Sequence, residues 1–175
     1  ALIHATASLL EEHGHSDKFV MLKVDFKNAF NMVDRSQMLA LVLEHFPELF
    51  PWVRFCYSGE PKLWFREVSL TSACGVQQGD PLGPFLFSLV LHVLVRRIDS
   101  EVPGLLLNGW YLDDGPLIGE HASVALAYRL IELHGPALGL HLNPRKCELF
   151  WPSHTQPPPS SPALLPSSSS SPSSS

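Results

Sequence analysis

The chain has 175 residues, enough for one domain of ordinary size, and its 45% hydrophobic content can form a packed core. Twelve Lys and Arg against 17 Asp and Glu give a net charge of −5, which counts against a stand-alone nucleic-acid binder, since such proteins carry a basic excess. Cys56, Cys74 and Cys147 are odd in number and widely spaced, which excludes a disulfide framework and a paired-cysteine zinc site and points to a reduced, intracellular protein.

The opening "ALIHATASLLEEHGHSD" lacks the basic start of a signal peptide, and it lacks Met, so the chain reads as a fragment. Residues 1–13 read as a helix with apolar positions at Leu2, Ile3, Ala7, Leu9 and Leu10. The acids and histidines of "EEHGHSD" lack the helical spacing of a metal motif and read as a solvated helix end. "KFVMLKVDF" (18–26) is short and rich in β formers, a buried strand. "DRSQMLALVLEHF" (34–46) is an amphipathic helix capped by Asp34 or Ser36 and broken by Pro47; "PELFPWVRFCYS" begins a second, short helix. "PKLWFREVSL" (61–70) reads as a strand, with "TSACGV" as its hairpin partner, and "QQGDPLGP" as a loop. Residues 85–99, "FLFSLVLHVLVRRID", read as a buried helix. The apolar segment "PFLFSLVLHVLV" is too short to span a bilayer, so no membrane is expected. Leu105–Leu112 and Pro116–Ile118 form a hairpin, "ASVALAYRLIELHGPAL" the last helix, and "LHLNPRKCELFW" (140–151) ends the domain with a strand. From Pro152 onward the chain is almost only Ser and Pro, and is expected to be disordered. The domain boundaries are therefore 1–151 and 152–175. The order of elements implies an α+β layer, with helices on one face of a small antiparallel sheet and the other face free for a substrate.

The stretch "GWYLDDGPLIG" (109–119) puts two like charges at the tip of a buried hairpin, where they repel each other. Asp25 likewise breaks an apolar strand. Either feature alone also suits a plain turn or a hydrogen-bonded strand end. Together, three carboxylates on neighbouring strands can hold two Mg²⁺ ions about 3.5–4 Å apart, the arrangement that phosphoryl or nucleotidyl transfer uses.

Four blocks in order resemble the palm of a reverse transcriptase, closest to the branch of non-LTR retrotransposons and group II introns. "VDFKNAFNMVDR" resembles motif A, "GVQQGDPLGPFLFSLVLH" motif B, "YLDD" motif C and "GLHLNPRKCELF" motif D. The resemblance implies a ferredoxin- or RRM-like palm and an RNA-directed DNA polymerase of retroelement origin. Two Mg²⁺ ions, or Mn²⁺ in their place, serve as cofactors, with RNA template, DNA primer and deoxynucleoside triphosphate as partners. Asp25, Asp113 and Asp114 are then the metal-binding carboxylates, assisted by the carbonyl of Phe26. The backbone of Lys27 to Phe30 runs under the triphosphate. Phe30 is the steric gate against a ribose 2′-OH, Gln78 and Gly79 lie by the nucleotide and template, and Lys146 protonates or neutralises the pyrophosphate. Leu112 fills the variable slot of YxDD, and Asp80 has no assigned role. The basic fingers and the thumb of a longer polyprotein are not among these blocks, which accounts for the acidic balance. An RNA-dependent RNA polymerase is disfavoured by Phe30 and by YLDD in place of GDD, and a cyclic-dinucleotide synthase by the lack of a GGDEF-like turn. The alternative of another class is an inactive or co-opted retroelement fragment that at most binds a partner.

Overall fold

The computed structural model describes residues 2–13, 15–59, 62–65, 68–71, 74–77, 79–152, with no side-chain description over 62–71. Beyond Pro152, the expected Ser/Pro tail lies outside the described residues.

Strand β1 (Phe19–Asp25) is the centre of the domain. Its period-2 alternation puts Val20, Leu22 and Val24, all fully buried, on one face and Met21, Lys23 and Asp25 on the other. It pairs antiparallel with β5 (Asp114–Glu120) on one side and with the short β6 (Glu148–Phe150) on the other. Strand β4 (Leu105–Asn108) adds to β5, giving the order β4-β5-β1-β6. The face of Val20 and Leu22 is covered by α5 (Gly83–Glu101) and α6 (His121–His134), whose Phe87, Leu94 and Ile131 share its core. Helix α3 (Arg35–His45) packs on α5, and α4 (Phe50–Tyr57) on α3. This is the expected α+β layer. Among the described residues no helix is long and apolar enough to cross a membrane.

Three details differ from the sequence-based expectation. The second face of the sheet is not wholly free. Helix α1 (Leu2–His13) lies across it: Leu2 packs against Gly109, and the His13 ring stands 5.5 Å from Phe19. Phe19 and Ile118, both on that face, are consequently buried, although α1 buries none of its own residues. Its half-buried stripe of Leu2, Ala5, Thr6, Leu9 and His13 follows helical spacing, so the apolar face found a sheet to cover.

Residues 61–70 are not one strand. Two short strands stand there instead, β2 (Lys62–Phe65) paired antiparallel with β3 (Val68–Thr71). Of "TSACGV", Thr71 ends that partner strand, opposite Lys62, and the rest of its described residues are not in it. Its Gly75 and Val76 amides instead donate to the Val33 and Phe30 carbonyls, at 2.8 and 2.7 Å, which a helix end leaves free. The third detail is α2 (Ala29–Met32), a four-residue helix between β1 and α3. The capping alternative resolves to Asp34, whose carboxylate accepts the Gln37 N–H at 2.8 Å.

Candidate active site

Asp25 is the last residue of β1 and Asp114 the first of β5, and the register places them directly opposite each other. The Asp25 carbonyl accepts the Asn143 N–H at 2.9 Å, so its backbone polar groups point away from β5. Asp114 exchanges its own bonds with Tyr111, away from β1. The two aspartates therefore form a non-hydrogen-bonded pair, the class in which opposed side chains stand closer, with Cα atoms about 4.5 Å apart. Asp25 Oδ1 is buried and has no hydrogen-bond partner. A native fold rarely leaves such an oxygen unsatisfied without a use for it.

Asp113 sits beside them in the two-residue turn Leu112–Asp113, closed by Tyr111 N–H to Asp114 at 2.8 Å and the reverse bond at 3.2 Å. Leu112 has φ 56°, and of the two turn residues only the first lies at positive φ, the pattern of a II′ turn. A branched leucine there is strained. The turn is seated by Trp110, whose ring stacks on Phe26 (5.5 Å between centroids, 15°) and whose Nε1–H donates to Asn108 at 2.7 Å. Gly115 follows the aspartates because a side chain there would enter the Trp110 ring.

On the other side of Asp25 the chain returns through Asn143. Leu142 bridges Phe26, and the Lys27 N–H donates to the His141 carbonyl at 2.8 Å. The buried Cys147 thiol donates to the Asp25 carbonyl at 3.8 Å, and burial pushes its pKa up, so it stays a neutral donor. By strand alternation the Phe26 carbonyl points the opposite way, toward the Asp113–Asp114 turn. A cleft of about 680 Å³ opens here, lined by Phe26, Lys27, Asn28, Asn143, Pro144, Arg145 and Lys146. Lys146 is thus beside the carboxylate end of the sheet. Lys27 and Arg145 join it in the cleft; the sequence reading gave their side chains no role, although an Asn-Pro turn followed by Arg-Lys was a visible signal.

Phe30 lies on α2, half-buried, with its ring stacked on Phe87 of α5 (4.5 Å, 11°) and its carbonyl tied to Val76. The Phe30 segment is therefore joined directly to the start of the loop that precedes α5. Gly79 has φ 86° and open space where a side chain would stand, so backbone conformation demands the glycine while another chain can approach it. Gln78 lies outside the described residues. The same loop carries a connection the sequence hid. The Tyr57 hydroxyl donates to Asp80 Oδ2 and accepts the Gln77 N–H at 3.2 Å, while Asp80 Oδ1 accepts the Leu82 N–H at 2.9 Å.

The arrangement gathers Asp25 and Asp114 on one face, Asp113 in the adjoining turn, and Phe26 and Lys146 beside them. Among the described residues no group of three or more His, Cys, Asp or Glu side chains stands close enough to hold a metal ion. The donor types still fit a hard divalent cation: carboxylate and carbonyl oxygens, one of them buried and unpartnered.

Residues 3–162 match the family described as "Reverse transcriptase (RNA-dependent DNA polymerase)". Among curated proteins the chain is 30% identical over 142 residues to the retrovirus-related Pol polyprotein from the type-1 retrotransposable element R2 of Nasonia vitripennis, covering 71% of this chain. It is 35% identical over 81 residues to the corresponding R2 polyprotein of Popillia japonica, covering 42% of this chain. It spans 13% of the length of each. Among solved structures, telomerase from Candida albicans in complex with a TWJ fragment of telomeric RNA aligns with a TM-score of 0.58 at 13% identity, over 89% of this chain and 30% of that one. Apo telomerase from Candida tropicalis, truncated from its C-terminal domain, aligns with a TM-score of 0.53 at 13% identity, over 85% and 34%.

Proposed function

The chain belongs to the reverse transcriptase family, and we propose that residues 1–151 are the palm of an RNA-directed DNA polymerase derived from a retroelement. The observation that carries this reading is the direct cross-strand pairing of Asp25 with Asp114 beside a basic cleft. Asp25, Asp113, Asp114 and the Phe26 carbonyl would hold two Mg²⁺ ions, or Mn²⁺, which when bound make the primer 3′-OH more acidic and neutralise the leaving pyrophosphate.

The chain's own residues supply the rest. Lys27, Arg145 and Lys146 line the cleft and bind the triphosphate as cations; Lys146 gives the pyrophosphate its proton. Phe30, held by Phe87, occupies the space of a ribose 2′-OH and selects deoxynucleotides. The loop with Gln78 and Gly79 takes the templating strand, an RNA paired to a DNA primer. Fingers and thumb come from other regions of a longer protein.

A second reading, an inactive or co-opted fragment, is favoured by one observation: α1 lies across the face on which Asp25 stands. Titration of the chain with Mn²⁺ separates the two. Saturable binding that Asp25→Asn abolishes supports the polymerase palm, and absence of binding overturns it.

A further inference from the structure

The 75–82 loop is fastened at both ends to the corner of α3 and α4. At its start, Arg35, buried at the beginning of α3, donates from Nε–H to the Gly75 carbonyl at 2.8 Å and lays its guanidinium over the Tyr57 ring at 5.5 Å. The Gln77 side-chain amide donates to the Cys56 carbonyl at 3.2 Å. At its far end stands Asp80. One carboxylate oxygen accepts the Leu82 N–H in an Asx turn just before α5; the other accepts the Tyr57 hydroxyl, which in turn accepts the Gln77 N–H. One phenol thus ties Gln77 to Asp80, across the two residues between them.

We propose that Tyr57 and Asp80 are positioning residues that set the height of Gln77 and Gly79 against the templating strand. The proposal rests on the palm reading above and adds to it a residue of α4 remote in sequence. Three observations support it. The Asx turn before α5 uses only one oxygen of Asp80, so the second bond, to Tyr57, goes beyond what that turn requires. Burial and the Asp80 carboxylate push the Tyr57 pKa up to about 12, so its proton is held and always donated. Gly79, midway through the fastened segment, has open space above it, so the fastening presents an exposed turn rather than burying one.

The test uses the full chain, as wild type, Tyr57→Phe and Asp80→Asn, at low salt with Mg²⁺. Three quantities are read: affinity for a fluorescent DNA primer annealed to an RNA template, affinity for a fluorescent deoxynucleoside triphosphate, and amide exchange. Tyr57→Phe is expected to weaken primed-template binding about tenfold, the loss of one hydrogen bond to a charged group, and to speed exchange at Gln77. Triphosphate binding, which depends on the cleft at 143–146, stays within about twofold. Asp80→Asn, which keeps one acceptor oxygen, falls between. Template affinity equal to wild type overturns the proposal whatever the exchange shows. Parallel loss of both affinities with the melting temperature also overturns it, because Tyr57 is then only part of the core. Failure of the wild-type chain to bind primed template overturns this proposal, and failure to bind Mn²⁺ as well overturns the palm reading on which it rests.

Discussion

Asp25 and Asp114 oppose each other across β1 and β5 with their side chains on the same face, and neither is tied to the other strand by a backbone bond. Two like charges in that position repel, at a cost of a few tenths to about 1 kcal/mol. Replacing Asp114 by Asn removes the repulsion and keeps the shape. Its melting temperature should hold or rise by up to about 4 °C, while Mn²⁺ affinity collapses. In a protein that supplies fingers and thumb, Asp113→Asn should likewise abolish DNA synthesis without unfolding. A clear fall in the melting temperature of Asp114→Asn would show that the carboxylate is structural.

Gly115 makes a different kind of contribution. A methyl group there would enter the Trp110 ring and lift it from Phe26. Gly115→Ala should cost about 1–3 kcal/mol, as overpacking does, and alter the near-UV signal of tryptophan. Trp110→Leu opens the space, so the double variant should lose less than the sum of the two single ones. Additive losses would place the strain elsewhere.

Phe30 has two neighbours to satisfy: Phe87 behind it and, on the present reading, a sugar in front. Phe30→Ala therefore does two things. It costs less than the roughly 3–5 kcal/mol of a fully buried Phe, because the ring is only half-buried. It also opens the space in front, so ribonucleotide incorporation in a completed enzyme should rise relative to deoxynucleotide. Unchanged sugar selectivity would return Phe30 to the role of a core aromatic.

The parts legible in the sequence are those with short-range causes. Alternation in "FVMLKVD" set the two faces of β1, and the apolar runs flanking "DD" set the hairpin, so the meeting of Asp25 and Asp114 could be anticipated. Helix α2 was not legible, because four residues show no period. The two strands inside 61–70 were read as one because Arg66 and Glu67, between them in sequence, include no Gly, Pro, Asn or Asp to mark a turn. The strain at Leu112 contradicts propensity and is imposed by the turn, as is common where a site overrides local preference. Tyr57 and Asp80 are 23 residues apart, and each is unremarkable alone; only the packing of α4 beside the loop brings hydroxyl to carboxylate. The cover over the sheet by α1 was hidden for the same reason: an amphipathic stripe shows that a helix packs, not on what.

The Tyr57 proton gives the last prediction, and its sign follows from where the proton is held. Burial first, then the hydrogen bond to Asp80, raise the pKa from 10.0 to about 12 in the folded chain. The unfolded chain loses that proton near pH 10. Between the two values the folded state is the better proton binder, so stability is fully present below pH 10 and is lost as pH rises toward 12. The raised pKa values of Cys147 and Tyr128, both from burial, act in the same direction. Tyr57→Phe removes one of these groups and leaves the other two. The variant should thus be less stable than wild type at pH 8, having left the Gln77 amide and one Asp80 oxygen without their partner. The gap should then narrow steadily from pH 10 to 12, because only wild type has the Tyr57 contribution to lose. Urea midpoints of both proteins at pH 8, 10, 11 and 12 measure it. A gap that stays constant across that range would mean that the Tyr57 hydroxyl is not held by Asp80.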